Sequence, residues 1–338
     1  MNMQKWLDAV KNEKIKKAMP LLSFPSVSLL GVKVRDLIYS AELQAEGMAL
    51  IAKRYDCLAS VSMMDLSVET EAFGAEILVS DDEVPTVKNI VVDSFEKAKN
   101  LKIPTMNDGR LKNCVRAVKL AKEKIVDRPV FAGVIGPFSL AGRLMGVGEA
   151  MINCYDEPEM VHEVLQRSTD FLLNYILEYK RIGANGVVMA EPLTGMLSPS
   201  LAEEFSAPYV KRLVDAVQDD SFIVIYHNCG DNVNLMVDSI LGVGAAAYHF
   251  GNSVKISEML SKMPEDKVVM GNVDPAAVIK NGTPETVRES VLSIMSDACE
   301  YPNFVISSGC DIPHQTKFEN LDAFFAAVNE FYETKFCT

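Results

Sequence analysis

The sequence predicts an α/β fold, a single (β/α)8 TIM barrel with N-terminal and loop insertions. Three observations carry that reading. Eight short apolar runs are spread along the chain, amphipathic stretches of helical period lie between them, and no linker-like segment interrupts the series. Alternating strands and helices imply a parallel sheet with right-handed crossovers. A length of 338 residues suits one such barrel, so residues 1–338 are taken as a single domain. No Gly-x-Gly-x-x-Gly follows an early strand, which leaves a dinucleotide-binding sheet without support.

The predicted strands are Met19–Phe24, Ala59–Met64, Val130–Ile135, Gly186–Ala190, Phe222–Tyr226, Ala245–Phe250, Lys267–Gly271 and Phe304–Ser308. Each is short and rich in β-branched, aromatic or small residues, the pattern of strands buried on both faces. Helical spacing of Val161, Val164, Leu165, Phe171, Leu172 and Ile176 predicts a helix from Pro158 to Gly183. Another is expected from Ser198 to Val217, with Ser198 as cap and Pro199 in the first turn. Pro284 to Cys299 repeats that pattern behind Thr283, and Leu321 to Tyr332 closes the chain. The segments Leu37–Tyr55 and Phe73–Lys112 read as insertions beside the barrel, and the charged stretch Asp81–Lys112 reads as solvated surface rather than a lid.

Composition narrows the function. The chain carries 33 basic and 46 acidic residues, a net charge of −13, which argues against nucleic acid and against anionic membrane surfaces as partners. The start, Met1 to Trp6, has no apolar core of a signal peptide, and no run is long enough for a membrane span. Seven cysteines, an odd number, then suggest reduced thiols in the cytoplasm, with metal binding or catalysis ahead of a disulfide framework. Cys114, Cys154 and Cys299 fall in predicted helices, and Cys337 lies at the terminus.

Strand five runs into His227-Asn228-Cys229-Gly230, and strand eight into Gly309-Cys310-Asp311. Side chains two apart on a strand point the same way, so His227 and Cys229 can aim a ring nitrogen and a sulfur at one point. Both sets follow the C-terminal ends of strands, the end on which barrels build active sites. One His and two Cys there would make three zinc ligands with a fourth position open. The alternative is that the cysteines are small buried hydrophobes and His227 a satisfied core histidine.

These residues bring a family into view. The chain resembles the uroporphyrinogen decarboxylase superfamily and, within it, the methylcobamide:coenzyme M methyltransferase branch. The likeness rests on Asp65 to Gly74, Gly136-Pro137-Phe138, Glu191-Pro192, Leu197-Ser198-Pro199, His227-Asn228-Cys229-Gly230, Gly271-Asn272-Val273-Asp274-Pro275 and Gly309-Cys310. It implies zinc on His227, Cys229 and Cys310, and a methylcobalamin or other corrinoid as methyl donor, delivered by a small corrinoid-binding protein. A small thiol such as coenzyme M, or a pterin, would accept the methyl group. Family decarboxylases carry an Arg-Gln-Ala-Gly-Arg segment after the first strand to clamp porphyrinogen carboxylates. Here Ser23 to Gly31 contains no basic residue, so that substrate lacks its bidentate partners.

Other readings stay open beside this one: a methyltransferase loading the corrinoid from a methoxy or methylamine donor, a metal-free decarboxylase-like enzyme, and a corrinoid-protein-binding barrel with structural zinc. Further site candidates follow strand ends. Glu191 would fill the fourth zinc position or orient a ligand, unless it is an ordinary ion-pair or helix-entry glutamate. Asp65 would face the cavity or cap the next helix. His249, Asp274 and His314 are substrate-binding candidates, against plain rim, turn and loop roles.

Overall fold

The computed structural model describes residues 1–336, so Cys337 lies outside it. Seven parallel strands form one curled sheet in chain order. They are β1 (Ser60–Val61), β2 (Val130–Ile135), β3 (Gly186–Ala190), β4 (Ile223–Asn228), β5 (Ala247–Phe250), β6 (Val268–Val273) and β7 (Phe304–Ser308). Three match the predicted ranges, and β4 runs two residues further, taking His227 and Asn228 into the ladder.

The predicted first strand, Met19–Phe24, is not a regular strand, yet it closes the barrel. Leu58 N bonds Ala18 O on the β1 side, and Met19 N bonds Ile306 O on the β7 side. Pro20 has no N–H to extend a ladder, and Leu21 N donates to the Ser308 hydroxyl at 3.0 Å instead. The eighth stave is therefore an irregular segment held by one backbone bond on each side and by the Ser307 and Ser308 hydroxyls on the β7 side.

Alternation along the strands separates two apolar layers. Phe131, Val188, Ile223, Ile225, Ala247, Val268, Met270 and Val305 pack inside the barrel with Met19 and Leu21. Met3, Leu7 and Val10 of the N-terminal helix Met3–Asn12 join them, and Met3 N bonds Asp220 O just before β4. That helix stoppers the end away from the strands' C-termini. The opposite faces, including Val187, Met189, Val224, Tyr226, Tyr248 and Phe250, pack against the helical shell.

Helices Pro158–Arg181 and Pro284–Ala298 agree with their predicted ranges to within two residues. The helix expected over Ser198–Val217 is two, Pro199–Phe205 and Ala207–Val217. Ser206 between them leaves helical geometry (φ −124°, ψ −59°), because Pro208 cannot supply the N–H a continuous helix needs. The insertion Phe73–Lys112 carries an antiparallel pair, Ile77–Leu78 with Thr86–Val87, and a short helix, Phe95–Asn100. Val91 and Val92 pin it to Leu144 O. No helix among the described residues is long and apolar enough to cross a membrane.

Candidate metal centre

Ile223, Ile225 and His227 share one face of β4, so the imidazole continues the inward row above the apolar interior. Asn228 then turns the chain. Its side-chain oxygen accepts from Gly230 N at 3.0 Å, and its amide donates to the Tyr226 hydroxyl at 3.2 Å. Gly230 lies against Gly195, where a Cβ would fall 2.4 Å from the Gly195 Cα. This close approach accounts for the glycine after Cys229. Gly251, following β5, gives Cys229 its room: a Cβ there would meet the Cys229 Cβ at 2.5 Å.

Cys310 arrives from β7, whose ladder Gly309 N extends by bonding Val273 O at 2.6 Å. Its Sγ stands 3.6 Å from His227 Nε2. One ligand-capable atom from each of His227, Cys229 and Cys310 lies within 4.8 Å of the others. The thiols are coupled. A hydrogen bond with Cys310 holds the Cys229 thiol below its ordinary value, and the same contact, with burial, pushes Cys310 up to about 12. Cys229 is thus the first of the pair to lose its proton. An imidazole nitrogen and two sulfurs that can ionise fit a zinc ion, which would hold both sulfurs as thiolates.

Below the trio the polar contacts continue inward. His227 Nδ1 lies 2.8 Å from His249 Nδ1, His249 Nε2 lies 2.8 Å from Ser307 Oγ, and the Ser307 hydroxyl donates to Met19 O at 2.7 Å. His227 and His249 are register partners on adjacent strands. His249 is fully buried; burial and the neighbouring His227 hold it well below its ordinary value, hence neutral. The expected substrate contact at His249 is therefore corrected: the ring lies under the ligand histidine, out of reach from the mouth.

Glu191 is not brought to the trio. It follows Val187 and Met189 on the outward face of β3, and its carboxylate sits beneath the N-terminus of helix Pro137–Met145. It accepts from Phe138 N (2.8 Å), Ser139 N (3.1 Å), Ser139 Oγ (2.8 Å) and Thr194 Oγ1 (3.0 Å). These backbone donors belong to the first helical turn, which has no internal partners for them.

Asp65 accepts from Ser67 N at 3.0 Å and Ser67 Oγ at 2.6 Å, the local capping arrangement, and pairs with Arg110 at 2.5 Å. Arg110 also binds Glu71 at 2.6 Å. The sequence reading missed this arginine, which lies in the stretch expected to be solvated surface. Asp274 serves the turn after β6, accepting from Ala276 N and Ala277 N at 2.8 and 2.7 Å. His314 is buried in the loop after Cys310, and its Nε2 has no partner among the described residues.

Glu69, in the same segment as Asp65, is a buried acid with an incomplete environment. Oε1 accepts from Ile135 N at 3.0 Å, while Oε2 has no partner among the described residues, and burial pushes the carboxyl up to about 7. The folded chain then holds a proton that the unfolded chain releases from about pH 4.5, so stability falls as pH rises towards 7 and levels off above it. Such a displacement corresponds to on the order of 3 kcal/mol. Glu191, also raised to about 7 by burial, acts in the same direction. Asp311, raised well above its ordinary value by burial, adds to the same trend, so Glu69→Gln is expected to reduce, without abolishing, the loss in unfolding free energy between pH 5 and 8 in urea titrations. An unchanged slope would show that Glu69 is ionised throughout.

Residues 16–331 match the family model described as uroporphyrinogen decarboxylase (URO-D). The methylcobamide:CoM methyltransferase MtbA of Methanosarcina acetivorans is 28% identical over 291 residues, 83% of each chain. The uroporphyrinogen decarboxylase of Pseudoalteromonas translucida is 24% identical over 304 residues, 87% of this chain and 85% of that one. Among solved structures, a methyltransferase from Methanosarcina mazei superposes with a TM-score of 0.85 at 20% identity, covering 98% of this chain and 99% of that one. A B12-independent methionine synthase from Shewanella sp. W3-18-1 gives 0.61 at 12% identity over 94% and 96%. The structural likenesses establish the barrel fold.

Proposed function

We propose that this chain, which belongs to the uroporphyrinogen decarboxylase family, is a zinc-dependent methyltransferase moving a methyl group from a methylated corrinoid to a thiol acceptor such as coenzyme M. The observation that carries the reading is the convergence of His227, Cys229 and Cys310 at the C-terminal end of the barrel. The likeness to methylcobamide:CoM methyltransferases supports methyl transfer as the reaction class.

His227 and the two cysteines would hold the ion as one neutral and two anionic donors, balancing its charge. Bound there, zinc supplies a Lewis-acid centre at which an acceptor thiol gives up its proton near neutral pH. The acceptor sulfur takes the methyl carbon, and the electron pair of the cobalt–carbon bond stays with cobalt. A corrinoid delivered on a small protein needs a surface to dock on. Met196 and Leu235 supply apolar side chains on the loops after β3 and β4, 54% and 67% exposed, and Asn232 N ties those loops together through Gly195 O at 2.9 Å. The decarboxylase alternative has less to stand on, since Arg110 is already committed to Asp65 and Glu71.

The test is methylcobalamin mixed with a panel of thiols and followed by absorbance. The zinc-loaded chain is expected to demethylate the corrinoid with at least one thiol. Chelation should abolish that activity, and added zinc should restore it. Methylcobalamin left intact with every thiol, while zinc stays bound, would make the ion a structural staple.

A further inference from the structure

The contacts beneath His227 fix where its proton sits. The Met19 carbonyl can only accept, so the Ser307 hydroxyl spends its one hydrogen on it at 2.7 Å. Ser307 Oγ must then accept from His249 Nε2–H at 2.8 Å. His249 is fully buried and its side-chain partners are a hydroxyl and a second imidazole, with no carboxylate among them, a setting that holds an uncharged ring. Its single N–H is spent on Ser307, which leaves Nδ1 with a lone pair facing His227 Nδ1 at 2.8 Å. His227 therefore carries its proton on Nδ1, and its Nε2 lone pair faces the Cys310 thiol at 3.6 Å.

We propose that His249 is a positioning residue for the metal centre: with Ser307 and Met19 O it sets the tautomer and ring orientation in which His227 presents Nε2 to zinc. This rests on the zinc reading above and goes beyond it by assigning the support of one ligand to named residues. A histidine ligand's second nitrogen ordinarily donates to a carboxylate, a carbonyl or water. Here that role passes to a second histidine, and the chain ends on backbone, so its direction cannot reverse. Every member is buried, which excludes water as a substitute. The anchor is the segment that closes the barrel between β1 and β7, so ligand orientation is coupled to closure.

The test compares wild type with His249→Phe, His249→Gln and Ser307→Ala. Zinc affinity is measured by competition with a chromophoric chelator, and thermal melts of the zinc-free proteins serve as folding controls. Phenylalanine fills the volume but neither accepts nor donates, and should weaken zinc about 10- to 100-fold, the cost typical of losing such a partner. Glutamine can accept from His227 through its oxygen and donate to Ser307 through its nitrogen, and should recover most of the affinity. Ser307→Ala, which frees His249 to change tautomer, should fall between.

Imidazole 15N shifts of the zinc-free wild type should show His227 protonated on Nδ1, with a mixture of tautomers in His249→Phe. Equal zinc affinity in wild type and His249→Phe would overturn the proposal, as would glutamine binding no better than phenylalanine, or His227 protonated on Nε2 in wild type. A wild type that binds no zinc would defeat the functional reading instead, and the 15N shifts would still decide the tautomer.

Discussion

Cys310→Ser is expected to abolish methyl transfer and to lower zinc affinity by more than the 10- to 100-fold that loss of an outer-shell partner costs. Serine keeps the shape of the side chain but replaces a sulfur that ionises with a hydroxyl that does not. Cys310 also reaches His227 Nε2 at 3.6 Å and forms the coupled thiol pair with Cys229, so both other ligands lose their neighbour. The site is partly exposed and the substitution opens no cavity, so zinc-free stability should stay within about 0.5 kcal/mol of wild type. Chelator competition and a thermal melt on one preparation separate the two effects. Full zinc affinity with lost activity would move Cys310 from the metal to the substrate.

Arg110→Leu has the largest effect expected on stability. The Asp65 carboxylate is completely buried and the guanidinium nearly so, at 0% and 4% exposure. Removing the cation leaves Asp65 uncompensated, with Glu71 facing the same gap. Breaking a buried pair from one side costs about 3–5 kcal/mol. At about 2.1 cal/mol/K of unfolding entropy per residue, a chain of 338 residues should then melt about 4–7 °C lower. Arg110→Lys should recover part of the loss, since it restores charge but not the fork that serves Asp65, Ser67 and Glu71 together. A melting temperature within 1 °C of wild type for Arg110→Leu would show that the pairing of Arg110 with Asp65 and Glu71 adds no net stability.

The barrel follows from short-range pattern, and the two halves of the trio are each marked by their place after a strand, while their grouping as ligands rests on the family resemblance. Seven apolar runs became strands, and period-two alternation through Ile223, Ile225, His227 and Cys229 is visible in the letters alone. The same alternation, applied to Val187, Met189 and Glu191, turns the glutamate outward beneath a helix. Alternation, rather than the residue's place after a strand, sets the direction of its side chain. Pro20 and Pro208 likewise mark the irregular eighth stave and the broken helix, because each removes a donor that the regular element needs.

Other features have no local signature. Arg110 meets Asp65 only after the insertion folds back. The pairing of His227 with His249 depends on the register of β4 against β5, and the anchor at Met19 depends on barrel closure. Gly195 and Gly230 touch through backbone atoms, which side-chain pattern does not encode.

The most direct test of the central claim is zinc K-edge X-ray absorption on the purified, zinc-loaded chain without substrate. The account predicts two sulfur scatterers at about 2.3 Å and one imidazole nitrogen at about 2.0–2.1 Å, from Cys229, Cys310 and His227. A first shell of nitrogen and oxygen alone, or a chain that takes up no zinc, would contradict it.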